Sequence, residues 1–342
     1  MRHGLTMINA SAIQPTAGDW RRELAQAIRE PAELATALGL DPGELPAMTG
    51  AAADFRLLVP RGFAARMRRG DPADPLLRQV LPDALELAPQ PTDYLTDPLA
   101  EGAAARAPGL LHKYHGRALL VTSGACAVHC RYCFRRHFPY PAENPRREDW
   151  NAALATIAAD ASIAEVILSG GDPLMLDDAV LAGLSERLTA IAHVRRLRIH
   201  TRLPVVLPER VNEPFLDFLR GCSLPVTMVL HVNHPREIGP ELAAGCTRLR
   251  PHLRFLLNQA VLLADVNDNA ETLAALSEAL DEIGVLPYYL HLPDRVAGTA
   301  HFAVSEERGR QLIEALRGRL PGYLVPRLAR EVPGATSKLV IA

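Results

Sequence analysis

From Arg117 onward, short apolar runs rich in Val, Ile and Leu alternate with amphipathic stretches. The runs RALLVTSG, AEVILSGG, RLRIHTR, PVTMVLHVN, LRFLLNQAVLL and LPYYLHL begin near residues 117, 164, 196, 225, 253 and 286. A spacing of roughly 30 to 45 residues suits successive βα units, which build a parallel sheet with right-handed crossovers. Six units predict an α/β fold, a partial (β/α)6 TIM-like barrel, with a full eight-unit barrel as the alternative. Several runs end in residues suited to chemistry rather than packing: Cys126, Gly170 to Asp172, Arg202, His231 and Asp294. In such a barrel the strand C-termini face the active site.

Residues 1–110 show no strand periodicity. DWRRELAQAIREPAELATALGL reads as helix broken at Pro31, GFAARMRRG and PLLRQVL continue the pattern, and residues 84–109 form a Pro- and Ala-rich connection. The chain therefore divides into a helical N-terminal extension (1–110), a barrel (111–320) and a C-terminal segment (321–342) that supplies a last strand and a loop.

With 342 residues and 48% hydrophobic residues, the chain can bury a large core. A formal charge of −2 gives no reason to expect nucleic acid as partner and favours small molecules. No stretch approaches the roughly 18 apolar residues of a membrane helix, and the N-terminus lacks the apolar core of a signal peptide, so a cytoplasmic protein is expected. Of five cysteines, Cys126, Cys130 and Cys133 fall within eight residues, a metal site in a reducing compartment rather than a disulfide framework. Cys222 and Cys246 stand apart and read as small buried side chains. Among 37 Lys and Arg residues only Lys113 and Lys338 are lysine. Arginine replaces lysine where a solvated charge suffices but not where a nucleophilic amine is needed, so these two positions draw notice.

The segment GACAVHCRYCFRRHFPY carries C-x3-C-x2-C after the first strand. Three thiolates are one short of closing a tetrahedral zinc site or a four-iron cluster. Zinc would need His129 or His137 as fourth ligand; a [4Fe-4S] cluster would keep one iron free for a ligand. The spacing, with Tyr132 before the last cysteine, resembles the radical S-adenosylmethionine superfamily, in which the free iron binds that cofactor. SGGDPL, Ser169 to Leu174, is a glycine-rich turn that alone says little. One βα unit after the cysteines, it resembles the motif that holds the methionine amino group through backbone and an acidic side chain, Gly170, Gly171 and Asp172 here.

Beyond these motifs, PGLLHKYHGRALL, RIHTRLPVV, LLNQAVLLADVNDNAETL, YYLHLPDRVAGTAHF and GYLVPRLARE resemble the lysine 2,3-aminomutase family, most closely its branch serving elongation factor P. The resemblance covers nearly the whole chain. It implies that Tyr132, His231 and Gln259 also contact S-adenosylmethionine. It implies pyridoxal phosphate as second cofactor, held as an imine on Lys338 in GATSK, with Lys113, Tyr114 and Arg202 at the phosphate. It implies Arg135 for the carboxylate of free lysine and Asp294 and Glu331 for the side-chain ammonium. A carboxylate and an ammonium at opposite ends call for such a pocket. Glu331 stands where the amino-acid-fermenting enzymes have aspartate, and its extra methylene moves the carboxylate by about 1.5 Å.

The implied reaction is an isomerisation. One electron from a flavodoxin- or ferredoxin-type donor passes through the cluster to S-adenosylmethionine, and the resulting 5′-deoxyadenosyl radical takes hydrogen from the β-carbon of lysine. A 2,3-amino shift then gives (R)-β-lysine for an elongation factor P lysyl-ligase. The alternatives are the same scaffold acting on another amino acid such as glutamate or arginine, with the paired acids speaking against glutamate, and a non-catalytic iron–sulfur or zinc protein that binds a partner. The oligomeric state is left open between monomer and homo-oligomer.

Overall fold

The computed structural model describes residues 19–41, 48–140 and 150–342. The first apolar stretch forms two helices, α1 (Trp20–Ala25), capped by Asp19 on the Arg21 amide, and α2 (Pro31–Leu38), which ends at Gly39 with φ +67°. Pro31 cannot continue α1 but suits a first helical turn, so the break falls where the sequence predicts it. α3 (Met48–Asp54), α4 (Arg61–Ala64), α5 (Pro75–Arg78) and α6 (Glu101–Ala104) follow, and an antiparallel bridge from Ile28 to Val59 joins the α1–α2 link to the α3–α4 link.

A short hairpin follows, β1 (Ala105–Ala107) antiparallel to β2 (Leu110–Tyr114), and β2 in turn pairs antiparallel with β3 (Arg117–Ser123). It begins inside the stretch expected to be an irregular connection. Strands this short carry too few positions to show a period of two.

From β3 the chain alternates as predicted. β4 (Glu165–Gly170), β5 (Arg196–Thr201), β6 (Val226–Leu230), β7 (Phe255–Val261) and β8 (Leu286–His291) add in sequence order, each parallel to the one before. The crossovers are α7 (Asn151–Ala159), α8 (Asp178–Thr189), the short α9 (Leu203–Val206) with α10 (Glu213–Gly221), α11 (Pro240–Leu249) and α12 (Ala270–Glu282). Asn212 and Asn269 side chains accept the Phe215 and Thr272 amides, fixing where α10 and α12 start.

After α13 (Glu306–Arg317), β9 (Arg327–Arg330) lies parallel on β8, and β10 (Leu339–Val340) returns antiparallel on β9. The ten strands make one sheet in chain order, with β1 and β10 at its two edges. The architecture is the α/β partial barrel, extended by a seventh parallel strand from the tail. One apolar core runs from Trp20 through Phe63, Leu120, Leu168, Ile199 and Met228 to Leu328, so the N-terminal helices and the barrel share it. No helix among the described residues is long and apolar enough to cross a membrane.

Candidate active site

A cavity of about 400 Å³ opens at the C-terminal ends of the parallel strands, and every site residue expected from the sequence lines it. The cysteine loop after β3 forms one wall and is pinned from behind by the N-terminal helices. Fully buried Arg131 donates from Nε to Glu86 (2.7 Å), pairs with its second oxygen, and caps the carbonyls of Phe55 and Ala51. Arg136 shares Glu86 at 2.9 Å. His129 bonds the Arg56 carbonyl through Nδ1 (2.8 Å), and His137 bonds the Ala297 carbonyl through Nε2 (3.1 Å). Each histidine that could complete a zinc site thus has one ring nitrogen holding the loop in place.

The SGGDP turn lies directly against this loop. Gly171 and Asp172 amides donate to Ser123 and Ala125 carbonyls at 2.7 and 2.8 Å. A Cβ on Gly171 would sit 2.4 Å from Ala125 O, and Gly170 adopts φ +126°, so side chains here would push the two loops apart. The Asp172 carboxylate is occupied by protein donors: Thr201 Oγ1 and the amides of Leu174, Arg202 and Leu203, all within 3.0 Å. It ties the end of β4 to β5 at the cavity wall.

The opposite wall holds a chain of alternating charges. Glu101 grips Arg135 through both oxygens (2.7 and 2.8 Å) and also meets Lys113 (3.3 Å). Lys113 reaches Glu331 (3.4 Å), and Glu331 reaches Lys338 (3.2 Å). Lys338 also contacts His291 Nε2 at 3.2 Å and lies 5.3 Å from the Tyr289 ring centre. Burial, and then the charge of Glu331, pushes Asp294 up to about 7. Glu331 also loses solvation on burial, but Lys338 and Lys113 outweigh this and hold its carboxyl below the ordinary value. Burial drives His291 well below its usual range and His231 down to about 3; neutral His231 accepts from Gln259 at 2.9 Å.

Residues 120–254 match the radical SAM superfamily. Over 325 residues, 95% of this chain and 94% of the relative, the sequence is 48% identical to the L-lysine 2,3-aminomutase of Escherichia coli (strain K12). The chain belongs to the L-lysine 2,3-aminomutase family. Two further members are similar: that of Haemophilus influenzae (45% identity over 95% of this chain and 96% of the relative) and that of Buchnera aphidicola (41% over 98% of both). As a lysine 2,3-aminomutase family member the chain is an isomerase of the aminomutase type with a radical SAM core.

The aminomutase family implies a [4Fe-4S] cluster and S-adenosylmethionine, and the residues fit them. Cys126, Cys130 and Cys133 line one cavity, and burial raises the Cys126 thiol and pushes Cys133 up to about 11, so a bound metal is what would make them thiolates. Among the described residues no three Cys, His, Asp or Glu side chains converge on a single-ion position. A cluster, whose thiolates each take a different iron, spreads its ligands further apart. Arg202 donates from Nη1 to Cys130 Sγ at 2.8 Å, while its buried Nε has no protein partner, which leaves a donor for a bound group.

Arg202 therefore stands at the cysteines. Both its amino groups are engaged there, Nη1 with Cys130 and Tyr132, Nη2 with Gln79 and Glu237. The sequence expects it at a cofactor phosphate; here both amino groups meet protein partners and the buried Nε is the donor left over. Three residues were missed from sequence. Glu101 is an isolated acid in an Ala-rich stretch, its partners met only through the fold. His291 ends β8 and was signalled by that position alone. Arg117 lines the cavity with its guanidinium 4.7 Å from the Tyr114 ring centre, and among the described residues its side chain makes no hydrogen bond or ion pair.

Proposed function

We propose that this chain is a pyridoxal phosphate-dependent lysine 2,3-aminomutase that converts L-lysine to (R)-β-lysine. The observation that carries the reading is Lys338, one of two lysines, whose amine enters the same cavity as the three cysteines between an acid and a neutral histidine.

When bound, the cluster with S-adenosylmethionine supplies a hydrogen-abstracting radical, and pyridoxal phosphate supplies a carbonyl carbon to carry the migrating nitrogen. Lys338 would hold that group through its primary amine. His291, kept neutral by burial, accepts a hydrogen bond from the Lys338 amine, and Glu331 contacts the same amine at 3.2 Å, so an acid and a neutral base stand where the proton of an amine exchange would move. Arg117, free of ion pairs and stacked on Tyr114, together with Lys113, suits a phosphate.

Arg135 faces the substrate carboxylate, and its bidentate grip by Glu101 fixes the plane of the guanidinium. Asp294 and Glu331 take the side-chain ammonium. Burial and Glu331 push the Asp294 carboxyl up to about 7 in the empty site, and an arriving ammonium would favour its charged form. The cavity walls hold the reacting groups in position.

Glu331 in place of aspartate supports the branch that supplies β-lysine to an elongation factor P lysyl-ligase, with reduction by a flavodoxin- or ferredoxin-type donor. The test is anaerobic reconstitution with iron, sulfide, pyridoxal phosphate and S-adenosylmethionine, followed by chiral analysis of products from lysine. β-Lysine of R configuration that a lysyl-ligase transfers to elongation factor P is expected. Turnover of glutamate but not lysine would refute the substrate assignment.

A further inference from the structure

Arg202 is 6% exposed, and its guanidinium is held on two sides. Nη1 donates to Cys130 Sγ (2.8 Å) and Tyr132 Oη (2.7 Å); Nη2 donates to Gln79 Oε1 (2.7 Å) and fully buried Glu237 (3.0 Å). The Phe63 and Tyr132 ring centres each lie 5.6 Å from its central carbon. Its backbone amide is fixed by Asp172 at 2.8 Å. It donates to a cysteine sulfur, and Tyr132, which also hydrogen-bonds Cys130, sits on the same Nη1. Arg135, two residues after Cys133, gives its donors to Glu101, Ser169 and Gly170.

We propose that Arg202 sets the reduction potential of the iron–sulfur cluster, acting through the sulfur of Cys130. The proposal rests on the cluster being held by Cys126, Cys130 and Cys133. The step concerned is transfer of one electron from the external donor to the oxidised cluster; no bond is made or broken in it. Reduction adds negative charge that the cysteine sulfurs share, so an N–H and a positive charge at Cys130 favour the reduced form and raise the potential. Burial strengthens both effects by excluding water. Glu237 neutralises the far side of the guanidinium, leaving Nη1 as a directed donor rather than a diffuse charge. The N-terminal extension takes part, because Gln79, just after α5, holds the guanidinium in this orientation.

The experiment is an EPR-monitored redox titration of anaerobically reconstituted wild type, Arg202→Gln and Arg202→Lys, without S-adenosylmethionine and with it. The glutamine variant is expected to keep its iron and sulfide but to lose about tenfold in the reduced-to-oxidised ratio at a fixed donor potential, about 59 mV for one electron. The lysine variant, which keeps the charge but not the fork, falls between. An unchanged potential in a variant with full iron content overturns the proposal. A shift seen only with S-adenosylmethionine also overturns it, since the guanidinium would then act on that ligand.

If the glutamine variant does not hold iron, wild-type holoenzyme labelled with guanidino-15N arginine decides. Pulsed EPR of the reduced cluster should show a 15N coupling that persists in Arg135→Lys, and its absence overturns the proposal. Wild-type protein that binds no iron would overturn the cluster assignment as well, which separates the two failures.

Discussion

Replacing Asp294 with asparagine should stabilise the substrate-free enzyme while weakening its hold on lysine. The carboxyl titrates near 7 in the folded chain against 3.8 in the reference state, first because it is buried and second because Glu331 faces it. About three units at 1.36 kcal/mol each is about 4 kcal/mol, an upper value because cavity water screens the charge. The folded-state value is raised, so the favourable contribution is complete below pH 3.8 and is lost as pH climbs through 7. Asparagine does not titrate. Relative to wild type, Asp294→Asn should therefore gain under about 2 kcal/mol at pH 5 and up to about 4 kcal/mol at pH 8. With an unfolding entropy of about 2.1 cal/mol/K per residue over 342 residues, the larger figure raises the unfolding temperature by about 6 °C. Thermal unfolding of both proteins at the two pH values measures the gain. In the same variant kcat/KM for lysine should drop by about 10- to 150-fold, the loss of one charge-assisted contact. An equal gain at both pH values, or a loss at pH 8, would refute the argument that the buried carboxylate is what destabilises the empty site.

Three further outcomes are expected. Lys338→Ala should abolish the visible absorbance of protein-bound pyridoxal phosphate; absorbance that survives this change and disappears in Lys113→Ala would show the attachment lysine to be misassigned. Glu86→Gln leaves Arg131 and Arg136 buried against a neutral partner, and breaking a buried pair costs about 3–5 kcal/mol, to be read by chemical denaturation together with lower iron retention. Glu101→Gln frees one edge of Arg135, so KM for lysine should rise with little change in the absorbance of bound pyridoxal phosphate, as steady-state kinetics and spectra of one preparation can show.

The six barrel strands were legible because each is an apolar run long enough to contrast with the helix that follows, and the predicted starts lie within two residues of those observed. The hairpin Ala105–Tyr114 was not, since a stretch rich in alanine and proline carries neither period and its pairing depends on β3 being there to accept it. The candidate site was legible where chemistry has a local signature: the cysteine spacing, the two lysines in an arginine-rich chain, the glycines that let two loops touch. Side-chain direction was not. Asp172 and Arg202 were correctly expected to lie at the cavity wall, but which partners they face depends on residues 29 to 123 positions away in sequence. Glu101 lies 34 residues from Arg135, and no local pattern links the two.

The clamp of Glu86 on Arg131 and Arg136 makes the cysteine loop and the N-terminal helices one mechanical body. The segment before the barrel offers no thiol to the iron, yet it behaves as a casing bolted on from outside, and the bolts are ion pairs buried with almost no access to water. A barrel excised without it would keep all three cysteines and expose two guanidinium groups where an anion had been. Its cysteine loop would lose the anchor that Arg131 and Arg136 provide. Transplanting this site onto another barrel therefore means moving residues 54 to 86 along with it, although none of them touches the chemistry.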